Sequence, residues 1–164
     1  MGSRRRAAVG LIGAGAAAIS VLAAPAIAAL PNAVIGTGKV GSPQTTIALV
    51  NSQRRTVYMF TGDHNNKSSC NGACLTGWKP VLTGRKVFAR AGSGVSQKLL
   101  GTTRRSNGQL QVTYNRHPLY TNNSDNGPGQ DYGQACPGNT GGHWFIVNKR
   151  GNPNKTAFNV CGVY

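Results

Sequence analysis

Glutamate is absent from this 164-residue chain, and aspartate occurs only at positions 63, 125 and 131. A glycosidase built on paired carboxylates would have to draw both its acid and its base from those three side chains. Methionine is nearly as scarce: apart from Met1 there is only Met59, which excludes a Met-rich copper or haem site. No two of the three histidines stand at ligand spacing, and Cys70-x-x-x-Cys74 has no second close Cys or His pair beside it, so zinc-site patterns are missing. A Ser-His-Asp set can be assembled only on paper, from Ser68 or Ser124, His64 or His117, and Asp63, because no Ser sits in a nucleophile-elbow setting. The expectation is a protein that catalyses nothing and carries no cofactor.

What is present starts with an export signal. Arg4, Arg5 and Arg6 form a basic start, Ala7 to Val21 an apolar run, and Ala26-Ile27-Ala28 a small-x-small cleavage site, so residues 1–28 read as a secretory leader. The run is rich in Gly and Ala, is broken by Pro25 and lacks a basic stop-transfer flank, which argues against a stable membrane span after cleavage. The triple Arg leaves the general and twin-arginine routes both open. No Cys precedes Cys70, so nothing suggests a lipid anchor.

The leader removes three Arg and no acid, leaving 15 basic and three acidic groups, a formal charge of +12. Such a charge attracts polyanions over long range and also keeps an exported protein soluble. The basic residues are scattered, as in Arg54-Arg55, Arg85-Lys86, Arg104-Arg105 and Lys149-Arg150, with no tract of five. Solvated turns account for many of them; the candidates for polyanion contact are Arg54, Arg55, Arg104, Arg105 and Arg116. Tyr58, Phe60, Tyr114 and Tyr120 stand near them in sequence, the pairing of rings and cations that a single-stranded nucleic acid would need. Core packing is the commoner fate of such rings, and export makes an anionic envelope polymer the more natural partner.

Four Cys in an exported chain of this size point to disulfides. Of the three pairings, Cys70 with Cys74 and Cys136 with Cys161 is favoured, because each joins sequence neighbours and keeps the first loop independent of the C-terminus. Loop-closure entropy gives about 2 kcal/mol for the five-residue loop and about 3.5 kcal/mol for the 26-residue one.

Short β-branched and aromatic runs alternate with turn residues: Thr45 to Val50, Arg55 to Thr61, Lys86 to Arg90, Lys98 to Thr102, Gln109 to Tyr114, His117 to Thr121 and Gly142 to Asn148. Asn107-Gly108 and Asn115-Arg116 mark tight hairpins. No helical period persists for three turns. Leu110, Val112 and Tyr114 alternate with polar residues, as in a strand with one face buried, whereas Val57-Tyr58-Met59-Phe60 is apolar on both faces and predicts a central strand. The predicted core is Ile47, Leu49, Val57, Tyr58, Phe60, Trp78, Val112, Tyr114, Trp144 and Ile146. Residues 29–43, with two Pro and three Gly among residues 30–43, read as a flexible lead-in. Residues 44–164 then form one small all-β domain of two pseudo-repeated meander units, stapled by disulfides.

The repeat is visible directly. Tyr58-Met59-Phe60-Thr61-Gly62-Asp63 recurs as Tyr120-Thr121-Asn122-Asn123-Ser124-Asp125, and Trp78 and Trp144 follow the two Asp. Copy 1 spans about 45–83 and copy 2 about 107–148. Asp63 and Asp125 could converge as paired carboxylates for a cation; the plainer account is an Asx turn in each copy, with the side chain accepting from backbone N–H groups two residues on.

The Tyr-x-aromatic-x-x-Asp segment, together with Cys70-Asn71-Gly72-Ala73-Cys74, Trp78-Lys79-Pro80, Gln111-Val112-Thr113-Tyr114, Pro118-Leu119-Tyr120, Gly127-Pro128-Gly129 and Tyr132-Gly133-Gln134, resembles a family of bacterial secreted proteins and lipoproteins described as a secreted repeat of unknown function. The resemblance implies an exported, two-repeat, mostly β protein and supplies no catalytic residue. Asn122 departs from it, standing where the motif's second aromatic belongs. Cys136 and Cys161 are additions to the shared pair, and the lipoprotein Cys is missing. The resulting expectation is a secreted or wall-associated protein that contacts anionic surface polymers. The alternative is an extracellular metal- or redox-handling accessory using Asp63, His64, His117, Cys70 and Cys74. The ligand, the oligomeric state and whether Asp63 meets Asp125 are not fixed by the residues.

Overall fold

The computed structural model describes residues 30–42, 45–64, 66–156 and 161, with Gly2. The expected leader, Gly2 aside, and the Tyr164 end lie outside them. The described residues are all β, with strands β1 (Ala33–Val40), β2 (Thr46–Val50), β3 (Tyr58–Phe60), β4 (Trp78–Pro80), β5 (Leu82–Thr83), β6 (Val87–Ala89), β7 (Leu100–Arg104), β8 (Leu110–Tyr114), β9 (His117–Pro118), β10 (Tyr120–Asn122) and β11 (Trp144–Ile146). Two short 3-10 segments, Gly72–Thr76 and Gln97–Leu99, interrupt them. The strands form three sheets ordered β2-β1-β6, β11-β3-β10-β4 and β5-β8-β7, with β9 paired to β8.

Residues 33–40 are not a flexible lead-in. They form the longest strand, β1, antiparallel to β2 and parallel to β6, and Ile35 on it is fully buried. Its glycines concealed it. Gly36 packs under the Arg90 side chain and Gly38 under Val50, where an added Cβ would lie 3.1 and 3.2 Å from the nearest side-chain atoms. Glycine in a strand serves such close approach. The turn signals behave as expected: Asn115 and Arg116 have φ of 48° and 66°, the two positive values of a type I′ turn, and join β8 to β9.

The central strand has the two apolar faces its sequence requires. Val57 and Met59 enter one core cluster with Ile35, Leu49, Val112, Tyr114, Leu119 and Val147; Tyr58 and Phe60 enter a second with Val50, Trp78, Tyr120, Trp144 and Ile146. Nine of the ten predicted core residues are buried. The tenth, Ile47, is 49% exposed: it shares a face with Leu49 but sits near the strand end, past the residues that cover that face.

The two repeats do not form separate units. In the four-stranded sheet, β3 of copy 1 pairs with β10 of copy 2, Tyr58 opposite Tyr120. Trp144 of copy 2 then lies opposite Phe60 of copy 1, and Trp78 of copy 1 opposite Asn122 of copy 2. The backbone bonds beyond the two tryptophans repeat the exchange. Leu49 N–H donates to the Val147 carbonyl and Val112 N–H to the Val81 carbonyl, each at 2.8 Å. Val147 N–H in turn donates to Val57 (3.3 Å), and Val81 N–H to Leu119 (2.9 Å). Each copy's tail therefore completes the other copy's hairpin, a pseudo-two-fold arrangement in which each copy's backbone pairing is finished by the other.

Candidate functional site

The repeated motif residues converge on this pseudo-two-fold. Trp78 and Trp144 stack face to face at its centre, 3.7 Å between ring centroids and 8° between planes. Tyr58 meets Trp78 edge-on at 5.1 Å and Tyr120 meets Trp144 edge-on at 4.9 Å, geometries that suit aromatic quadrupoles. Phe60 adds a stack on Trp144 at 4.4 Å. Its counterpart Asn122 has no ring, so the second copy closes differently: Gly133 abuts Trp78 and Asn122 so tightly that an added Cβ would lie 2.3 Å from the indole.

Each tyrosine reaches the aspartate of the other copy. The Tyr58 hydroxyl donates to Asp125 Oδ2 at 2.7 Å, and the Tyr120 hydroxyl to Asp63 Oδ2 at 2.8 Å. The remaining carboxylate oxygens hold the loops that follow. Ser69 N–H and Oγ–H donate to Asp63 Oδ1 at 2.7 and 2.8 Å, and Tyr132 N–H donates to Asp125 Oδ1 at 2.9 Å. The Asx-turn expectation is thus corrected in its reach: the side chains bond six and seven residues ahead, not two, because each loop folds back over its own aspartate. Among the described residues Asp63 and Asp125 have no bonding partner in common.

Burial sets their electrostatics. Desolvation raises the carboxyl of Asp125 to about 6, against the bonds from Tyr58 and Tyr132 that favour its ionised form. Asp63 and Asp131 are raised for the same reason, Asp63 being pulled back by its bonds from Ser69 and Tyr120. The Tyr58 and Tyr120 hydroxyls are pushed up by burial and by the facing carboxylates, so they act as fixed donors.

The arginine candidates divide. Arg105 is 7% exposed and donates to Ser68 Oγ, Gln111 Oε1, the Cys70 carbonyl and Asn71 Oδ1, all within 3.0 Å. It ties the disulfide loop to β8 and is not a surface cation. Arg55 is half-buried and donates to the carbonyls of Asn122 (3.1 Å) and Asp125. Arg54, Arg104 and Arg116 are exposed. Tyr58, Phe60, Tyr114 and Tyr120 are all within 2% exposure, so these rings offer no stacking surface to nucleic acid.

The metal and redox candidates are placed as follows. Cys70 pairs with Cys74 and Cys136 with Cys161, the favoured connectivity. Asp63 and His117 line one cleft of about 230 Å³ with Asn66, Arg116 and Pro118, where the Arg116 cation opposes a metal ion. Burial lowers the His117 imidazole while the Asp63 charge raises it. His64 is exposed. Among the described residues no three His, Cys, Asp or Glu gather as a metal site. Ser68 Oγ has Tyr120 and Arg105 as partners, not an imidazole.

A family profile described as a secreted repeat of unknown function matches residues 36–82 and again 101–148. The chain belongs to this family of secreted repeats. Both matches begin with the hairpins β1–β2 and β7–β8, earlier than the sequence boundaries of 45 and 107, and end just past the two tail strands. No curated protein and no solved structure matches the chain. Among the described residues no helix is long and apolar enough to cross a membrane.

The sequence did not single out Ser69, Tyr132, Gln111 or Gln134 as partners in this network. Gln134 is fully buried with both amide ends engaged, Nε2 donating to the Asn154 carbonyl and Oε1 accepting from Ile146 N–H, each at 2.9 Å. The signal that could have found the first two is positional: each stands six or seven residues beyond a motif Asp.

Proposed function

We propose that this secreted-repeat protein is a non-catalytic binding protein of the cell envelope or extracellular space, whose partner is an anionic surface polymer. The observation that carries the reading is the placement of its acids. Asp125 and Asp131 are buried, and Asp63 is partly buried and bonded to Ser69 and Tyr120. Every charged side chain that is exposed among the described residues is therefore Lys or Arg, including Arg54, Lys79, Arg104, Arg116, Lys149 and Arg150. A surface with one sign of charge attracts polyanions and repels cations over a Debye length of roughly 8–10 Å.

A shaped polymer site differs from unspecific polyanion attraction in its salt dependence, because unspecific binding falls steeply as salt rises. The test is binding of the oxidised protein to isolated cell walls and to duplex DNA across a salt series. Wall binding is expected to persist at salt concentrations that release DNA. Parallel decay of both would reduce the charge to a solvated surface and overturn the reading.

A further inference from the structure

We infer that the cleft between the β2–β3 turn and strand β4 is a phosphate-binding subsite, a deepening that rests on the envelope reading for the source of its ligand. The cleft has a volume of about 310 Å³, and its lining includes Asn32, Asn51, Arg55, Lys79, Pro80 and Thr121. None of its lining residues is acidic.

Two of its amide side chains are held with their oxygens engaged. Asn51 Oδ1 accepts from the backbone N–H groups of Gln53 and Arg55, both at 3.0 Å, and Asn32 Oδ1 accepts from those of Arg85 (3.1 Å) and Lys86 (2.9 Å). With both amide oxygens committed to N–H donors, the amide assignment is fixed and each NH2 group remains as a donor. Lys79 is exposed and stands opposite Thr121 in the β4–β10 pairing. Arg55 lines the same cleft as a second cation. Two cations and two amide donor groups, with no acidic side chain among the lining residues, define a site for an anion.

The donors left free in the cleft bear on which anion it takes. Its Nη2 already donates to the Asn122 and Asp125 carbonyls, so the planar two-nitrogen fork that a carboxylate favours is engaged on that side. The donors that remain, the compact Lys79 ammonium and the amide NH2 groups, approach singly from different directions, an arrangement that suits the tetrahedral oxygens of a phosphate better than the two coplanar oxygens of a carboxylate. The ligand class is a phosphate or phosphodiester group of a surface polymer.

The test titrates the oxidised protein with glycerol phosphate and with glucuronate at constant ionic strength, followed by backbone amide NMR. Glycerol phosphate is expected to saturate, with shifts concentrated at residues 51–55, 79 and 121, and glucuronate to bind at least about fivefold more weakly. Lys79→Gln should weaken phosphate about tenfold, the scale of one charge-assisted bond. Lys149→Gln, which removes the same charge from another face, should change it less than about twofold. Equal effects of the two substitutions, glucuronate binding as tight as phosphate, or shifts scattered over all basic residues would overturn the subsite. Walls that bind wild type and Lys79→Gln equally would also sink it while sparing the envelope reading. Phosphate saturating the cleft with no wall binding would keep the subsite and sink that reading.

Discussion

Replacing Trp144 by Ala is expected to lower the thermal midpoint by about 10 to 20 °C, the shift that about 3–5 kcal/mol produces in a domain of this size. The residue is 1% exposed and touches three other motif rings: Trp78 on one face, Phe60 in a second stack and Tyr120 at its edge. Truncation removes the hydrophobic burial and leaves a cavity at the aromatic centre where the two repeats meet. Because a small domain has only about 5–15 kcal/mol in total, the variant should fold poorly at 37 °C. Trp78→Ala should lose less, since Trp78 is 9% exposed and Asn122, not a phenyl ring, stands opposite it. Circular dichroism melts of the two variants beside wild type check this. A shift below about 3 °C for Trp144→Ala would show that the stack does not hold the repeats together.

The second large effect is on pH. The Asp125 carboxyl sits at about 6 in the fold, above its ordinary value near 4, because burial disfavours its charge. A raised folded-state value means that the folded chain binds the proton more tightly. The stability from this group is then fully present below about pH 4 and is lost as pH rises through about 6. Between pH 8 and pH 4 the gain is on the order of 2 to 3 kcal/mol, and Asp63 and Asp131, raised for the same cause, add to it in the same direction. His117 acts oppositely: its lowered value favours the neutral ring, so its contribution is lost as pH falls below the ordinary imidazole range. Denaturant melts should show stability rising from pH 8 to about 5, and Asp125→Asn should flatten that rise. A wild-type curve falling over this interval would contradict the desolvated carboxyl.

Much of the fold was readable because its strands announce themselves. β-Branched and aromatic runs marked β2, β3, β6, β8, β10 and β11, and Asn115-Arg116 carried its own turn geometry. The two apolar faces of Val57 to Phe60 already required a central strand. What was hidden has a physical reason in each case. β1 carries Gly36 and Gly38 because Arg90 and Val50 press on it, and composition alone reads those glycines as flexibility. The exchange of tails between copies depends on register across a sheet, which no local pattern encodes. Arg105 looked like surface charge beside Arg104. Its burial follows from four neutral acceptors that lie 6, 34, 35 and 37 residues away in sequence.

The candidate site was legible in its members and not in its wiring. Tyr58, Asp63, Trp78, Tyr120, Asp125 and Trp144 were identified by repetition. Repetition, however, is equally consistent with a shared ligand and with a shared lock. Only the crossed hydrogen bonds, Tyr58 to Asp125 and Tyr120 to Asp63, distinguish the two. They make the motif a fastening between copies, and they leave the proposed envelope contact to the basic surface.

That assignment is tested most directly by measuring stability and wall-polymer binding together for Asp63→Asn and Asp125→Asn. The account predicts a stability change of about 0.5 to 2 kcal/mol for Asp63→Asn, the scale of losing a local side-chain cap. It predicts the flattened pH profile for Asp125→Asn, and polymer affinity within about twofold of wild type for both. Unaltered stability and pH dependence with polymer binding lost would contradict it, and would make the motif aspartates the binding site itself.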